Sequence, residues 1–132
     1  MLRLNVVTPE RAFLDEECFS VTLPGLMGEL QILEGHTPAL LQLKTGLVVY
    51  ENKDHERITF MIANGFVEVD HDQVNVLCEM ARRKDEVDKA SELASQADLR
   101  QQMEKLVPED DDGQKLLNAE LEKSVVRLSL LD

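Results

Sequence analysis

Three histidines, two cysteines and a scatter of carboxylates are the side chains of this sequence best suited to chemistry, and their spacing organises little of it. His36, His55 and His71 are spread along the chain without ligand spacing, so no metal site is expected. Cys18 and Cys78 lie in strand-like runs among apolar neighbours and read as buried free thiols rather than as a disulfide or a ligand pair. There is no Gly-x-Ser-x-Gly nucleophile motif. The glycines at 25, 28 and 35 follow no strand-to-helix switch and fit neither phosphate-binding pattern. Glu16 and Glu17 sit among turn residues open to water, where nothing withdraws them as acid–base catalysis requires. His36 has its direction set by Gly35 before it and Pro38 two residues after, but no nearby carboxylate is obliged to orient it as a base. It reads as a loop-stabilising or subunit-contact histidine. Glu29, in the same loop system, is either a solvated carboxylate or a polar contact to a partner. No catalytic residue and no cofactor is expected, and a small hydrolase built on His36 and Glu29 lacks a nucleophile, a metal set and an oriented base.

The elements that position these residues fall into two halves. Up to about Glu79 the chain reads in twos: Leu2, Leu4 and Val6; Phe19, Val21 and Leu23; Ile58, Phe60 and Ile62; Val67 and Val69; Val74, Val76 and Cys78. Such alternation predicts strands with one buried face. Thr8-Pro9, Pro24-Gly25, Gly35, Gly46, Asn52-Lys53-Asp54, Asn64-Gly65 and His71-Asp72 separate the runs, which predicts a small antiparallel sandwich or barrel-like fold. Asn64-Gly65 is ambiguous, because Phe66 and the valines beyond it can continue one bulged strand. The stretch 23–38, dense in Gly and Pro, fixes its backbone path firmly enough to imply that something docks there.

Past Arg82 the period changes. Residues 85–106 hold no Gly or Pro and are rich in helix formers, with Val87, Ala90, Ala94 and Ala97 as the expected inner face. Pro108 and the acidic run 109–112 end that helix, and Asp111 or Asp112 is the expected cap of a second one over about 114–130. Leu117, Leu121, Ser124, Leu128 and Leu131 form its apolar stripe, so the two helices make an antiparallel hairpin. The formal net charge is −12, which disfavours nucleic acid and direct adhesion to anionic lipid. The first 79 residues carry 5 Lys or Arg against 13 Asp or Glu, whereas residues 80–132 carry 9 against 13. No apolar run is long enough for a membrane span or reads as a secretory signal, which leads to the expectation of a cytoplasm-like compartment.

The order of motifs resembles the epsilon subunit of the F-type ATP synthase over nearly the whole chain. Val7-Thr8-Pro9-Glu10-Arg11 is similar to the family's first strand and turn, and Leu-Pro-Gly-x-x-Gly-Glu-Leu-x-Ile-Leu at 23–33 with Gly-His-x-Pro at 35–38 to its signature loops. Gly46 stands where the family places a glycine. Asn64-Gly65-Phe66-Val67-Glu68-Val69 looks like Gly-Gly-Phe-Val-Glu-Val with Asn in place of the first Gly. Val74-Asn75-Val76-Leu77, Ala119-Glu120-Leu121 and Arg127-Leu128 follow in order. The resemblance implies a β-sandwich of about ten short strands over 1–82 and a two-helix hairpin over 83–132. It implies a non-catalytic rotor component in the central stalk, peripheral on the cytoplasmic face of the membrane and coupling ion transport to ATP synthesis. The implied partners are the gamma subunit and the c-ring, with contacts to the catalytic alpha/beta hexamer through the C-terminal helices. Carried over by position, Glu29, Gly35, His36 and Pro38 become candidates for the c-ring contact. Lys115, Lys123 and Arg127 become candidates for an inhibitory contact made by the extended hairpin. Some bacterial members bind ATP through Ile/Leu-Asp-x-x-Arg-Ala at the first helix. Here Val87 and Asp88 fit, but Ser91 replaces the Arg and Glu92 the Ala, which disfavours a polyphosphate. A stand-alone interaction module, a sandwich with a helical arm, is the competing reading.

Overall fold

The computed structural model describes all residues, 1–132. The chain divides into two compact units, Met1–Arg83 and Lys84–Asp132. The first is built from seven strands: β1 (Leu2–Val7), β2 (Ala12–Gly25), β3 (Gly28–Leu33), β4 (Ala39–Leu43), β5 (Gly46–Asn52), β6 (Arg57–Asp70) and β7 (Gln73–Arg83). The strand count is below the expected ten or so because neighbouring runs fuse. β2 and β6 each extend for 14 residues, and β6 passes straight through Asn64-Gly65.

Those two long strands change partners along their length. β2 pairs β1 through residues 12–18 and β3 through residues 20–25, with β5 along its other side. β6 pairs β5 through residues 57–62 and β4 through residues 65–69, with β7 along its other side. β1 also lies parallel to β7, the one parallel ladder in an otherwise antiparallel sheet, and so closes the sheet on itself. A parallel pairing is available there because β1 and β7 are the first and last strands, joined by the whole sandwich rather than by a hairpin.

The alternation seen in the sequence decides which faces turn inward. Leu2, Leu4, Val6, Val21, Leu23, Phe60, Ile62, Val67, Val69, Val74 and Val76 are all buried in one cluster. Each such side chain contributes roughly 1.5–3 kcal/mol by leaving water. Phe13, Phe60 and Tyr50 pack ring against ring at centroid distances of 5.1 and 6.0 Å. Cys18 and Cys78 are free and buried, and burial pushes both thiols up to about 11. Tyr50 is buried too, donates to Glu16 at 2.5 Å, and has its hydroxyl pushed up by burial and by that carboxylate.

The partner change in β6 is concentrated at two residues. Asn64 takes φ 33, and its N–H donates to the Thr45 hydroxyl, itself buried, at 3.3 Å. Beside it, a Cβ on Gly65 would stand 2.1 Å from the Leu77 carbonyl oxygen. Only a residue without a side chain lets β7 approach so closely.

In the second unit a short 3₁₀ turn at Lys84–Glu86 precedes α1 (Lys89–Glu104) and α2 (Asp111–Ser129), which pack together as a hairpin. Asp88 caps α1, its carboxylate accepting from the Ser91 N–H at 3.0 Å. Asp110 caps α2 through the Gly113 N–H at 2.9 Å, so the expected cap at Asp111 or Asp112 is displaced by one turn-forming residue and those two lie in the first helical turn. The expected alanine face is also wrong. Ala90, Ala94 and Ala97 are exposed, while Glu92, Gln96, Leu99, Met103 and Leu106 are half-buried at steps of four and three. Glu92 holds an inner position because it meets Arg127 of α2 at 2.8 Å, leaving each of the two side chains under a fifth exposed. The α2 stripe follows expectation, with Leu117, Leu121, Leu128 and Leu131 half-buried and Ser124 fully buried.

Replacing Gly65 with Ala should lower unfolding stability by about 2–3 kcal/mol, and Asn64→Gly should raise it by about 0.5–1 kcal/mol, both read by urea denaturation. Ser124 Oγ is buried without a hydrogen-bond partner, so Ser124→Ala should stabilise the full chain by about 1 kcal/mol, seen as a higher melting temperature of the helical signal.

Candidate functional site

Two exposed surfaces of the sandwich are built firmly enough to bind something. One runs along the outer edge of β3, which pairs with β2 and presents a free edge on its other side. Its inward residues are Leu30 and Ile32, and Glu29, Gln31 and Leu33 point to solvent. At one end of β3 the chain reverses through Leu26-Met27 between the paired Gly25 and Gly28. That turn is pinned to β4: Leu26 N–H donates to the Gln42 carbonyl and Lys44 N–H to the Pro24 carbonyl, both at 2.9 Å. A Cβ on Gly46 would lie 2.7 Å from Pro24 Cβ, so the glycine lets the next strand start against the proline. Met27, at 98% exposure, is the tip of this turn.

At the other end of β3 lies the loop 34–38. Gly35 takes φ +82, and its N–H donates to Asp72 Oδ1 at 2.8 Å. His36 donates its N–H to the Leu33 carbonyl at 3.1 Å and holds Nδ1 2.6 Å from the Thr37 carbonyl oxygen, which asks for the tautomer with Nδ1 protonated. Pro38 is exposed just before β4. Glu29 and His36 are thus not brought together: four strand residues, about 13 Å at the usual rise, separate Glu29 from the loop alone. They cannot share one substrate, and the hydrolase reading loses its geometry. Both lie on one edge, which suits contact with an extended partner surface.

The second surface was not legible as a site. Register places Val7, Leu77, Phe66 and Gln42 side by side across β1, β7, β6 and β4. With Thr8, Pro9, Gly65 and Glu79 they line a groove of about 600 Å³. Phe66 is 52% and Leu77 60% exposed. A signal was present: both are apolar at positions out of phase with the buried Val67, Val69, Val74 and Val76, so alternation puts them on the solvent face. Glu68, on the next row of β6, and Glu79, on β7, give the patch an acidic rim.

The remaining sequence candidates are spent locally. His55 stacks on Phe19 with ring centroids 4.5 Å apart, and His71 lies 2.5 Å from Asp70. Of the degenerate nucleotide motif, Val87 is half-buried, Asp88 is the cap of α1, Ser91 supplies the capped N–H and Glu92 pairs with Arg127. Hydrogen bonds from Ser91 hold the Asp88 carboxyl below its ordinary value. Lys115 is exposed, Lys123 pairs with Glu120 at 3.2 Å, and Arg127 is committed to Glu92. Neither helix is long and apolar enough to cross a membrane.

Residues 1–84 match the family described as the ATP synthase delta/epsilon chain, beta-sandwich domain. Over 98% of its length the chain is 35% identical to an ATP synthase epsilon chain of Geobacter sulfurreducens, covering 92% of that protein. It is also 35% identical to the epsilon chain of Moorella thermoacetica, with 96% of this chain and 93% of that one aligned. Among solved structures, a chain of the Euglena gracilis mitochondrial ATP synthase, from a complex of OSCP, F1 and c-ring, superposes with a TM-score of 0.84 at 20% identity, over 99% of this chain and 81% of that one. A chain from the Tetrahymena thermophila central stalk and c-ring gives 0.62 at 13% identity, over 99% and 96%. A closed sandwich of this topology with a two-helix arm, and sequence likeness running from end to end, have one explanation: the chain belongs to the ATP synthase epsilon family.

Proposed function

We propose that this chain is a non-catalytic rotor subunit that couples ion movement through a c-ring to ATP synthesis by gripping two partners with one rigid sandwich. The groove at Val7, Phe66 and Leu77 takes the gamma subunit. The edge from Met27 and Glu29 to Gly35, His36 and Pro38 takes the c-ring. The observation that carries this reading is the pair of separate, pinned surfaces on a single closed sheet, since a part that transmits torque must not yield between its contacts. An apolar centre with an acidic rim is the anatomy of a protein interface, and it favours a neutral or basic protein over anionic lipid or a second acidic copy. As a stalk component the protein sits peripherally on the cytoplasmic face of the membrane.

The hairpin is proposed as a brake on ATP hydrolysis that reaches the alpha/beta hexamer with Lys115, with Lys123 once it leaves Glu120 on the same helix, and with Arg127 once opening of the hairpin releases it from Glu92. Its internal seam supports a hairpin whose two helices can part. Leu99, Met103 and Leu106 supply most of the apolar contact on α1, while Glu92, Gln96 and Ser124 interrupt it. ATP is not proposed as a ligand, because Asp88 and Glu92 are already engaged and Glu92 adds an anion where a polyphosphate would lie.

Leu77→Asp should weaken gamma binding at least tenfold without lowering the melting temperature by more than a few degrees, because it buries a charge only in the complex. Exchanging Glu29 and His36 for Ala should spare gamma and reduce capture on the c-ring. Removing residues 84–132 should raise ATPase activity of the reconstituted complex, and unchanged activity rejects the brake. Calorimetric titration with ATP should give no binding at micromolar concentration, and a low-micromolar constant would reverse that part of the proposal.

A further inference from the structure

The turn between β6 and β7 is strained for its sequence. His71 and Asp72 take φ 48 and 65, a conformation that hairpins usually assign to Asn-Gly. Neither residue is glycine, so something offsets the conformation. The Asp72 carbonyl accepts from the Arg3 N–H at 2.8 Å, a bond that any residue could supply. Its carboxylate Oδ1 accepts from the Gly35 N–H at 2.8 Å, across 37 residues of sequence, and only an acceptor side chain of that length could do so. Gly35 has open space where a Cβ would stand, so packing on that side does not hold the loop. The next residue is His36, whose own N–H bond to Leu33 fastens the loop to the end of β3.

We propose that Asp72 is a positioning residue that fixes the 34–38 loop, and through it His36 and Pro38, in the direction needed to meet the c-ring. The strain at 71–72 and the interaction at Gly35 are then two sides of one device. A glycine at 72 would relax the turn and keep the carbonyl bond, yet would free the Gly35 N–H and leave the loop held only near its start, by the His36 bond to Leu33 and the Glu34 pair with the N-terminus at 3.1 Å. This inference rests on the proposed ring contact, and it adds a residue that lies outside the loop itself.

The test compares Asp72→Gly and Asp72→Asn in the full-length chain, with amide exchange at Gly35 and His36 read by NMR alongside affinity for purified c-ring and for gamma. Asp72→Gly should speed Gly35 exchange about tenfold. It should leave the melting temperature equal or higher and gamma affinity unchanged, and weaken ring binding roughly three- to tenfold. Asp72→Asn, which keeps the acceptor oxygen, should restore both exchange and ring binding. Unchanged exchange at Gly35 in Asp72→Gly overturns the proposal, as does faster exchange with ring affinity intact. If the native chain itself ignores the ring, the proposed function falls, and the exchange measurement still decides whether Asp72 holds the loop.

Discussion

Closure of the sheet depends on two strands that each serve two neighbours on the same side. β2 hands over from β1 to β3 near Phe19, and β6 hands over from β5 to β4 at Asn64-Gly65. At the second corner β7 passes so near that Leu77 O would strike any side chain at 65. Phe66 and Leu77, turned out to water by alternation, pair directly beside this close approach, so the groove lies on the corner that shuts the core. Conformational strain is confined to Asn64 at this corner and to three turn residues, His55, His71 and Asp72, apart from the glycines. A closed sheet whose strain is held at a few fixed positions, and whose core is close-packed, is suited to transmitting force.

The electrostatics follow a similar division. The carboxylates are shared equally, 13 in residues 1–83 and 13 in residues 84–132, and those on the sandwich are mostly solvated, where they cost little and discourage self-association. In the hairpin, a charge pair between the two helices, Glu92 and Arg127, is drawn largely out of water. A buried pair of this kind adds little net stability compared with apolar residues of the same size, but breaking one side of it is costly. It therefore fixes which faces of α1 and α2 meet more than how strongly they meet. The unsatisfied Ser124 hydroxyl works in the same direction, lowering the strength of a seam whose register is already set.

Much of the sandwich was legible because period-two alternation is a local consequence of one-sided burial, as in Leu2-Leu4-Val6 and Val74-Val76-Cys78. The continuity of β6 through Asn64-Gly65 was only half legible, because the buried phase shifts there from Phe60 and Ile62 to Val67 and Val69, which reads equally as a turn or as a bulge within one strand. Closure was not, because a parallel β1–β7 ladder joins segments about 70 residues apart and leaves no local mark. The α1 face was misread for a different reason. Alanines at 90, 94 and 97 mimic an inner stripe, whereas the true stripe includes Glu92, whose burial makes sense only once Arg127 stands opposite. Gly and Pro punctuation marked 34–38 as a loop of fixed path, but Asp72, the side chain that ties Gly35 down, is remote in sequence and carries no motif of its own.

A single rigid sheet with two separate gripping surfaces makes a distinct pattern in hydrogen exchange. The full-length chain can be followed free, with gamma, and with gamma plus c-ring. Gamma alone should protect the strand segments around Val7, Phe66 and Leu77, and the ring should then add protection confined to residues 26–38. Protection of residues 26–38 by gamma with the groove left unchanged would contradict the assignment of the two surfaces.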